Sequence, residues 1–327
     1  VTDIAKQKQD EIRYNIEQFN IFMNDHGEDN EPRSFIGLNC FNPYDCDYWN
    51  YCTRDLPKPN VFDIAGMWKS KKMEKFNEGK VSFEDLQYED LNPKYSEQVD
   101  FEVNDREPKI NEYAIARLLG SLEYPLYFID YETFNTPIPE IEGTKPYQQL
   151  PFQYSLHIVE EEGAPIEHKE FLAEADDEDF IRHFAESMIA NLPEDGSVIV
   201  YNKSFESSVN RKIGELYPEY ADEMARINGN IVDFMVPFKD RNYYTKEMQG
   251  SYSIKYVLPA LYPDDEDLDY DNLRGVHNGG EASNAFVSLK GKSKEEQEET
   301  REDLLEYCKL DTLAMVKLWD KFKEVTE

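Results

Sequence analysis

The chain has 327 residues, of which 40% are hydrophobic and 13% aromatic, so it can build hydrophobic cores and is not disordered as a whole. Its length suits two domains of ordinary size. A formal net charge of −33 argues against tight, sequence-independent binding of duplex nucleic acid, because such binding normally requires a basic footprint. It does not exclude an enzyme that holds a few nucleotides through metal ions, because the metals then supply the local positive charge.

The sequence has no apolar stretch long enough to span a membrane, and it does not open with a signal-peptide pattern. We therefore expect a cytoplasmic protein with no membrane partner. The first residue is Val1 rather than methionine, which predicts a further domain upstream in the full-length protein.

The N-terminal third combines a helical pattern with a cluster of cysteines. Apolar residues recur at helical spacing between residues 3 and 24, which predicts a helix. Cys40, Cys46 and Cys52 follow, with five residues between each pair. Clustered thiols in a chain otherwise poor in cysteine favour a soft metal or an iron–sulfur cluster over disulfides. Three thiols leave a four-thiolate site incomplete, so a fourth ligand would come from His26 or from upstream sequence; free buried cysteines are the alternative.

The domain boundary is predicted in an acidic, irregular stretch at residues 87–108. A helix is expected before it at residues 64–76 and another after it at residues 110–121. The prediction is therefore a smaller, mainly helical, cysteine-containing region at residues 1–108, followed by a larger domain at residues 109–327.

The larger domain alternates between strand and helix patterns, which is typical of the α/β class. Strands are predicted at 125–130, 151–159, 168–173 and 197–201, and helices at 176–192, 204–216 and 301–323. Three consecutive strands followed by helix, strand and helix is the layout of a ribonuclease-H-like mixed sheet flanked by helices. The aspartate-rich residues 264–271 are interpreted as a solvated loop.

The first of these strands ends in two carboxylates two residues apart, Asp130 and Glu132. Side chains two apart on a strand point the same way, so both acids should face one side of the sheet. Burying two adjacent carboxylates is costly unless a cation neutralises them. The simplest such cation is Mg²⁺ or Mn²⁺, which prefer oxygen ligands. The alternative is that the strand has ended and both acids are solvated.

Further acids are placed to complete such a site. Asp311 interrupts an apolar stripe on the last helix, with Tyr307 four residues earlier on the same face. An acid within a core-facing stripe breaks a local rule, and such breaks concentrate at functional sites. Glu206 follows the strand at 197–201 and is expected at the carboxyl edge of the sheet. Asp233 lies on a short apolar run, where capping a helix is the alternative to ligating a metal.

These motifs resemble those of a known group of nucleases. The D-x-E of Asp130 and Glu132, the N-x-x-F-E from Asn202 to Glu206 and the Y-x-x-x-D from Tyr307 to Asp311 look like the three motifs of DEDDy 3′→5′ exonucleases. Those enzymes have a ribonuclease-H-like fold. The match spans roughly residues 120–327.

Three other stretches, Pro151–His157, Gly250–Pro259 and Tyr307–Thr312, resemble an uncharacterised bacterial family. In that family such a domain follows a RecB-like, iron–sulfur-containing nuclease half. The resemblance implies an upstream nuclease-like domain as partner. It also implies that Cys40, Cys46 and Cys52 are the downstream three ligands of a 4Fe–4S cluster.

The resemblance to DEDDy exonucleases implies two metal ions, Mg²⁺ or Mn²⁺. Asp130 would bridge both ions, and Glu132 would hold one of them while orienting the attacking water. Asp311 would complete the first ion, and Tyr307 would help to align the water. Glu206 stands where the family pattern has aspartate, so the second ion depends on a side chain longer by one methylene.

The implied partner is the 3′ end of single-stranded DNA or RNA. The residues expected to contact it, by stacking on bases or by meeting phosphates, are Asn202, Lys203, Phe205, Tyr252, Lys255 and Tyr256. Core packing for the aromatic residues and ordinary surface exposure for the lysines are the alternatives. The expected function is a metal-dependent 3′→5′ exonuclease. The competing interpretations are a non-catalytic ribonuclease-H-like docking or structural module and a structure-specific endonuclease.

Overall fold

A computed structural model describes residues 2–26, 30, 35–139, 141–193 and 196–327. The chain divides into two compact units, Val1–Glu89 and Asp90–Glu327. Within the described part of the chain, no helix combines the length and the apolar character needed to cross a membrane.

The first unit is built from short helices, as the sequence predicts. They are α1 (Thr2–Gln7), α2 (Gln9–Asp25), α3 (Trp49–Cys52), α4 (Lys69–Asn77) and α5 (Phe83–Leu86). The predicted helix at residues 3–24 corresponds to α1 and α2, neither of which has a buried side chain. The helix predicted at residues 64–76 begins later, at Lys69. The delay arises because Asn60 and Asp63 close a separate 3₁₀ turn with reciprocal hydrogen bonds, after which the backbone is extended.

Half-buried aromatic side chains pack against one another in the first unit. The ring of Phe41 lies 4.6 Å from that of Trp49, which lies 4.8 Å from Phe62. Phe62 in turn lies 5.2 Å from Phe76 of α4. These contacts join the cysteine-bearing segment to α4, so hydrophobic packing holds this segment in place.

The second unit begins with a helix that the sequence analysis missed. Residues 87–108 were expected to be irregular, but α6 spans Pro93–Val103. The Asn92 side chain caps its N-terminus, and Pro93 occupies the first helical turn, where proline is favoured. The prediction was wrong because the acidic composition was given more weight than this start signal.

The division between the units falls at residues 89 and 90, within the stretch at residues 87–108 predicted to hold the boundary but ahead of the division into 1–108 and 109–327. The reason is that α6 packs within the second unit. The Gln98 side-chain amide donates a 3.0 Å hydrogen bond to the backbone carbonyl of Gln249, and the ring of Phe101 lies 4.8 Å from that of Tyr244.

The second unit is an α/β fold with a five-stranded mixed sheet flanked by helices. Its other helices are α7 (Glu112–Leu119), α8 (Phe180–Asn191), α9 (Lys203–Leu216), α10 (Ala221–Gly229), α11 (Val236–Lys239), α12 (Ile254–Leu261), α13 (Gly279–Ser288) and α14 (Lys294–Glu324). Its strands are β1 (Lys109–Ile110), β2 (Leu126–Phe134), β3 (Leu150–Val159), β4 (Glu167–Leu172), β5 (Ser197–Val200), β6 (Ile231–Asp233) and β7 (Tyr243–Tyr244). The predicted class and most predicted elements are confirmed.

The main sheet has the strand order β4-β3-β2-β5-β6. The pairs β4-β3 and β3-β2 are antiparallel, whereas β2-β5 and β5-β6 are parallel. Strands β1 and β7 form a separate two-stranded sheet. The central strand β2 is therefore bordered on both sides, which suits its nearly continuous apolar sequence.

Alternate residues of β2 enter two different cores. Tyr127 and Ile129 belong to a cluster that includes α8, α9 and α10. Leu126 and Phe128 belong to another, which includes the C-terminal half of α14. Because strand side chains alternate with period two, this parity predicts that Asp130 also points to the α14 side.

The long helix α14 covers that side of the sheet. It begins at Lys294 rather than at the predicted residue 301, because Ser293 and Glu296 form a capping box. The stripe predicted to face the core is buried, with Leu304, Cys308, Met315 and Leu318 all without exposed surface.

The stretch from residue 264 to 271 differs from the predicted solvated loop. Leu268 and Tyr270 are buried against the main core. The side chains of Asp267 and Asp271 lie outside the described residues. The prediction failed because it weighed the acids and ignored the two apolar positions between them.

Candidate metal centre

The D-x-E pair lies where β2 extends past its neighbour β5. The parallel pairing between these strands ends at Phe128 and Ile199, so Asp130 and Glu132 project beyond the end of β5. On the other side, β3 remains paired with β2 through this region. Asp130 is half-buried and Glu132 is 6% exposed. The strand thus places two carboxylates at the edge of the core.

Asp311 of α14 joins this pair. One carboxylate oxygen from each of Asp130, Glu132 and Asp311 lies within 4.8 Å of the others. Asp311 is 9% exposed, and Tyr307 lies beside it with 4% exposure. The Cys308 thiol donates a long hydrogen bond, 3.7 Å, to the backbone carbonyl of Asp130. The acid that interrupts the apolar stripe of α14 therefore meets the acids of β2.

Buried polar side chains of β3 anchor α14 next to Asp311. The Thr312 hydroxyl lies 2.8 Å from His157 Nδ1 and 2.7 Å from Ser155 Oγ. The Gln153 side-chain amide donates a 2.7 Å hydrogen bond to the carbonyl of Leu304. Burial lowers the pKa of His157 to about 4, so the ring is neutral at physiological pH. These bonds fix the helix against the strand that neighbours Asp130 and Glu132.

Tyr270 is a site residue that the sequence analysis missed. Its hydroxyl donates a 2.6 Å hydrogen bond to Asp311 Oδ1, and its ring is 6% exposed. Such a bond orients a carboxylate and favours its charged form. The sequence does contain a signal, since Tyr270 is a tyrosine among aspartates. That signal was missed because residues 264–271 were interpreted as a solvated loop.

Lys255 supplies a positive charge close to the acids. Its ammonium donates a 2.7 Å hydrogen bond to the carbonyl of His277 and lies 5.2 Å and 5.5 Å from the ring centres of Tyr270 and Tyr307. Its charge lowers the pKa values of nearby carboxyl groups in the site. Lys255 therefore offsets part of the repulsion within the cluster, as a fixed cation would.

Tyr270→Phe is expected to weaken Mn²⁺ binding about 10- to 100-fold while leaving the fold intact. The ring continues to fill its buried position, and only the hydrogen bond to Asp311 is lost. Isothermal titration calorimetry with Mn²⁺ measures the effect. Tyr262→Phe is the matched control, because that hydroxyl bonds the backbone carbonyl of Lys317, also on α14. Equal Mn²⁺ affinity in both variants would show that Tyr270 does not support the site.

Glu206, on the first turn of α9, enters the same cleft. Its side chain is 1% exposed, and its Oε2 atom has no hydrogen-bond partner among the described residues. It lies outside the group of three converging acids, but its charge still raises the pKa of Asp130. A buried, unpartnered carboxylate oxygen is costly to maintain, and a cation is the partner that would satisfy it.

The acids of the cleft have strongly raised pKa values. Burial is the largest cause for all four. Repulsion from Asp311 and Glu132 adds to it at Asp130, and repulsion from Asp311 adds to it at Glu132. The pKa of Asp311 is raised to about 6, with the hydrogen bond from Tyr270 acting in the opposite direction. The pKa of Glu206 is raised to about 8 by burial and by the charge of Asp233. The cluster therefore favours either protons or bound cations.

The four carboxylates and Tyr307 line one cleft of about 620 Å³. Gly279 and Gly280, at the start of α13, line it as well, and a Cβ atom on Gly279 would lie 3.5 Å from Glu132 Oε2. The N-terminus of a helix suits a neighbouring carboxylate, because its free N–H groups carry partial positive charge.

The residues predicted to contact nucleic acid separate into two groups. Asn202, Phe205 and Lys255 line the cleft. Lys203 does not, because its ammonium donates a 2.9 Å hydrogen bond to the carbonyl of Ile231. Tyr252 and Tyr256 also lie outside the cleft lining, and each is 45% exposed.

Asp233 caps the start of α9. Its carboxylate accepts hydrogen bonds from the backbone N–H groups of Asn202, Lys203 and Met235 at 3.0 to 3.2 Å. Asn202 has a positive φ of 106°, an unfavourable conformation for a residue with a side chain, and these bonds hold it. The structural alternative raised for Asp233 therefore accounts for its geometry.

Asp233→Ala is expected to destabilise the second unit by about 1 to 3 kcal/mol, because three backbone N–H groups lose their acceptor. Mn²⁺ affinity should change by less than about threefold, since the Asp233 oxygens already accept backbone hydrogen bonds and Asp233 does not line the cleft. Urea unfolding and calorimetry measure the two quantities. A loss of Mn²⁺ affinity beyond about tenfold with unchanged stability would instead identify Asp233 as a ligand.

Among the described residues, the cysteines of the first unit do not form a group with converging ligand atoms. Cys40 and Cys52 are half-buried and Cys46 is exposed. Among the residues that the structure describes, Asp130, Glu132 and Asp311 are the one group of three or more histidine, cysteine or acidic side chains with converging ligand atoms. His26 bonds the carbonyl of Phe22 through Nδ1. A cluster held by these cysteines stays a prediction.

The fold and the cleft define an α/β protein with a buried cluster of carboxylates. Comparison with known proteins places it beside proteins whose function is not described. The profile of a domain of unknown function, DUF2779, matches residues 127–253, which include Asp130, Glu132 and Glu206. Asp311 lies beyond the matched segment. No solved structure matches the chain.

Two curated relatives are themselves uncharacterised proteins. The uncharacterized protein UU173 of Ureaplasma parvum is 28% identical over 182 residues, covering 51% of this chain and 26% of the relative. The uncharacterized protein MG366 of Mycoplasma genitalium is 27% identical over 209 residues, covering 58% of this chain and 31% of the relative. The chain thus matches less than a third of the length of these relatives.

Proposed function

We propose that this chain is a metal-dependent phosphodiesterase acting on nucleic acid, and that it is a 3′→5′ exonuclease. The observation that carries the proposal is the convergence of Asp130, Glu132 and Asp311 within 4.8 Å, with Glu206 in the same cleft. Four acids brought together from β2, α9 and α14 are expensive to bury without cations. Their oxygen ligands suit Mg²⁺ or Mn²⁺.

The fold supports this proposal. Three antiparallel strands, a helix, a parallel strand and a further helix follow in the order expected of a ribonuclease-H-like domain. The motif acids fall on the central strand, on the helix after β5 and on the last helix. This placement agrees with that implied by the resemblance to DEDDy exonucleases.

The residues present fit two metal ions. Asp130, Glu132 and Asp311 would hold one ion, and Asp130 with Glu206 would hold the second. When bound, such ions would stabilise negative charge on the attacking and leaving oxygens of a displacement at phosphorus. The unpartnered Oε2 of Glu206 supports its role as a ligand despite the extra methylene.

The other residues of the cleft would bind and orient the reactants. The Tyr307 hydroxyl lies beside Asp311 and would hold the attacking water by a hydrogen bond. Glu132 would orient the same water while it holds one of the ions. Phe205, on the cleft wall, would contact the terminal base. The ammonium of Lys255 would attract the scissile phosphate.

The buried acids also help to distinguish the exonuclease from the two competing interpretations, a docking module and an endonuclease. A docking or structural module does not need four buried acids with mutually raised pKa values, which cost folding free energy. A structure-specific endonuclease would use the same cluster and would differ in where it cuts. The point of cleavage therefore separates the two enzymatic possibilities.

The test is cleavage of 5′-labelled and 3′-labelled single-stranded DNA and RNA in Mg²⁺ or Mn²⁺, with EDTA and Asp311→Asn as controls. An exonuclease of the proposed polarity gives a ladder that shortens from the 3′ end and disappears in both controls. Internal cuts would identify an endonuclease. No cleavage, together with no Mn²⁺ binding by calorimetry, would refute the proposal and favour the docking module.

A further inference from the structure

A second groove continues from the metal-centre cleft. It has a volume of about 260 Å³ and shares Gln149 and Phe205 with the larger cleft. The loop between β2 and β3 lines one side of it, and α9 lines the other. We propose that this groove, which we call the lysine groove, binds the nucleotides that precede the 3′-terminal one on a single nucleic-acid strand. The inference rests on the proposed nuclease function.

The charge of the lysine groove suits a phosphate backbone. Lys145 and Lys212 both line it, and none of the described residues that line it is acidic. This composition stands out in a chain with a net charge of −33. The Lys212 ammonium pairs with Glu215 at 2.6 Å, but the Glu215 side chain is 63% exposed, and such surface pairs are weak. A phosphate can therefore compete for Lys212.

The groove also presents an aromatic ring. Tyr147 is 68% exposed and adopts a φ of 60°, a conformation unfavourable for a residue of its size. Its backbone N–H donates a 2.9 Å hydrogen bond to the carbonyl of Thr136, which holds this conformation. An exposed ring beside two lysines is the combination with which proteins bind single strands, through stacking and phosphate contacts.

The position of the groove identifies its occupant. Because Phe205 and Gln149 border both cavities, a strand whose last phosphodiester lies at the carboxylates can continue directly into the lysine groove. The acids repel the rest of the strand in the absence of metal, so the lysines provide the attraction that the cleft lacks. Stacking on the exposed ring of Tyr147 requires unpaired bases, which favours a single strand over a duplex.

The inference is tested by fluorescence anisotropy with 5′-fluorescein oligothymidylates of one to eight nucleotides. The protein is the full chain with Asp311→Asn, in Mg²⁺, so that binding is measured without cleavage. Affinity should rise as the oligonucleotide grows from one to about four nucleotides and then level off. Adding Lys145→Gln and Lys212→Gln should weaken binding of the octamer about tenfold. It should also lower the slope of log affinity against log salt by about 1.4, the value for two single-strand phosphate contacts.

Three matched variants complete the experiment. Tyr147→Ala should weaken octamer binding about tenfold with an unchanged salt slope, because stacking is lost rather than charge. Glu215→Gln should tighten it, because Lys212 is released from its ion pair. Lys290→Gln with Lys294→Gln, an equal change of two charges at exposed positions outside the groove, should alter it by less than about twofold.

The outcomes separate this inference from the proposed function. Cleavage by the wild-type chain with unchanged octamer binding in the lysine and tyrosine variants would overturn the lysine groove alone. Binding that depends on these residues without cleavage by the wild-type chain would support the groove and refute the nuclease. Equal displacement of the octamer by polyglutamate of similar charge would also overturn the inference, since it would show a general polyanion surface.

Discussion

Asp130→Asn is expected to abolish cleavage, with kcat lowered by at least about 1,000-fold, and at the same time to raise the melting temperature of the metal-free protein. Activity would be lost because, in the proposed function, Asp130 would hold both ions. Stability is gained because burial and the charges of Asp311, Glu132 and Glu206 hold the pKa of Asp130 well above its usual value. At neutral pH the folded protein must either bury the charge of Asp130 or bind a proton there, and both cost free energy. Asparagine is uncharged and avoids this cost.

Scanning calorimetry in EDTA and the 3′-end cleavage assay measure the two effects of Asp130→Asn. Asp264→Asn is the control, because Asp264 is exposed and lies outside the metal-centre cleft; both quantities should stay unchanged. The Cys308 thiol bonds the backbone of Asp130 and not its carboxylate, so this contact survives the substitution. A lower melting temperature with full activity would mean that Asp130 is a structural residue.

The sequence predicts the architecture of the second unit well, because its strands carry strong local signals. β2, β3 and β5 are apolar runs buried on both faces, and the structure places them where the pattern does. The end of α14 follows from its apolar stripe. Where prediction failed, as at α6, an Asn-Pro start signal competed with a charged composition, and the contacts that stabilise the helix come from distant residues such as Tyr244.

Some residues of the candidate site can be predicted from local sequence patterns, whereas others are positioned by contacts with distant parts of the chain. Asp130 and Glu132 follow from strand parity, and Asp311 follows from the helical stripe that it interrupts. Tyr270, Gly279 and the lysine groove depend on loops whose paths are set by tertiary packing, so no local pattern predicts their positions. The sequence also cannot show that Asp233 caps α9. Two of the three N–H groups that donate hydrogen bonds to its carboxylate come from a distant part of the chain and lie near it only in the folded protein.

The metal-free protein is expected to become more stable as the pH falls from about 8 to about 5, with a change on the order of a few kcal/mol. The folded-state pKa values of Glu206, about 8, and Asp311, about 6, lie above the ordinary values of 4.5 and 3.8. The folded protein therefore binds more protons than the unfolded chain in this range. Stability is highest below the unfolded pKa values and is lost as the pH rises through the folded ones.

Divalent metal should reduce the loss of stability at high pH, because it binds the ionised acids in place of protons. Mn²⁺ at about 100 times its Kd would stabilise the protein by about 2.7 kcal/mol, and the stabilisation should be larger at pH 8 than at pH 5.5, where protons compete for the ligands. Thermal unfolding at a series of pH values, with EDTA or with Mn²⁺, measures both effects.

A chain with a net charge of −33 also gains stability on acidification simply because its overall repulsion falls, so a variant is needed to isolate the cleft. The Glu206→Gln/Asp311→Asn double variant keeps nearly all of that general charge and loses two of the four acids with raised pKa values. Its melting temperature in EDTA should depend less steeply on pH and should not respond to Mn²⁺. Parallel pH profiles for the variant and the wild-type chain would show that the general charge, and not the carboxylate cluster, controls stability. The carboxylate cluster would then have no measurable energetic need for a bound metal.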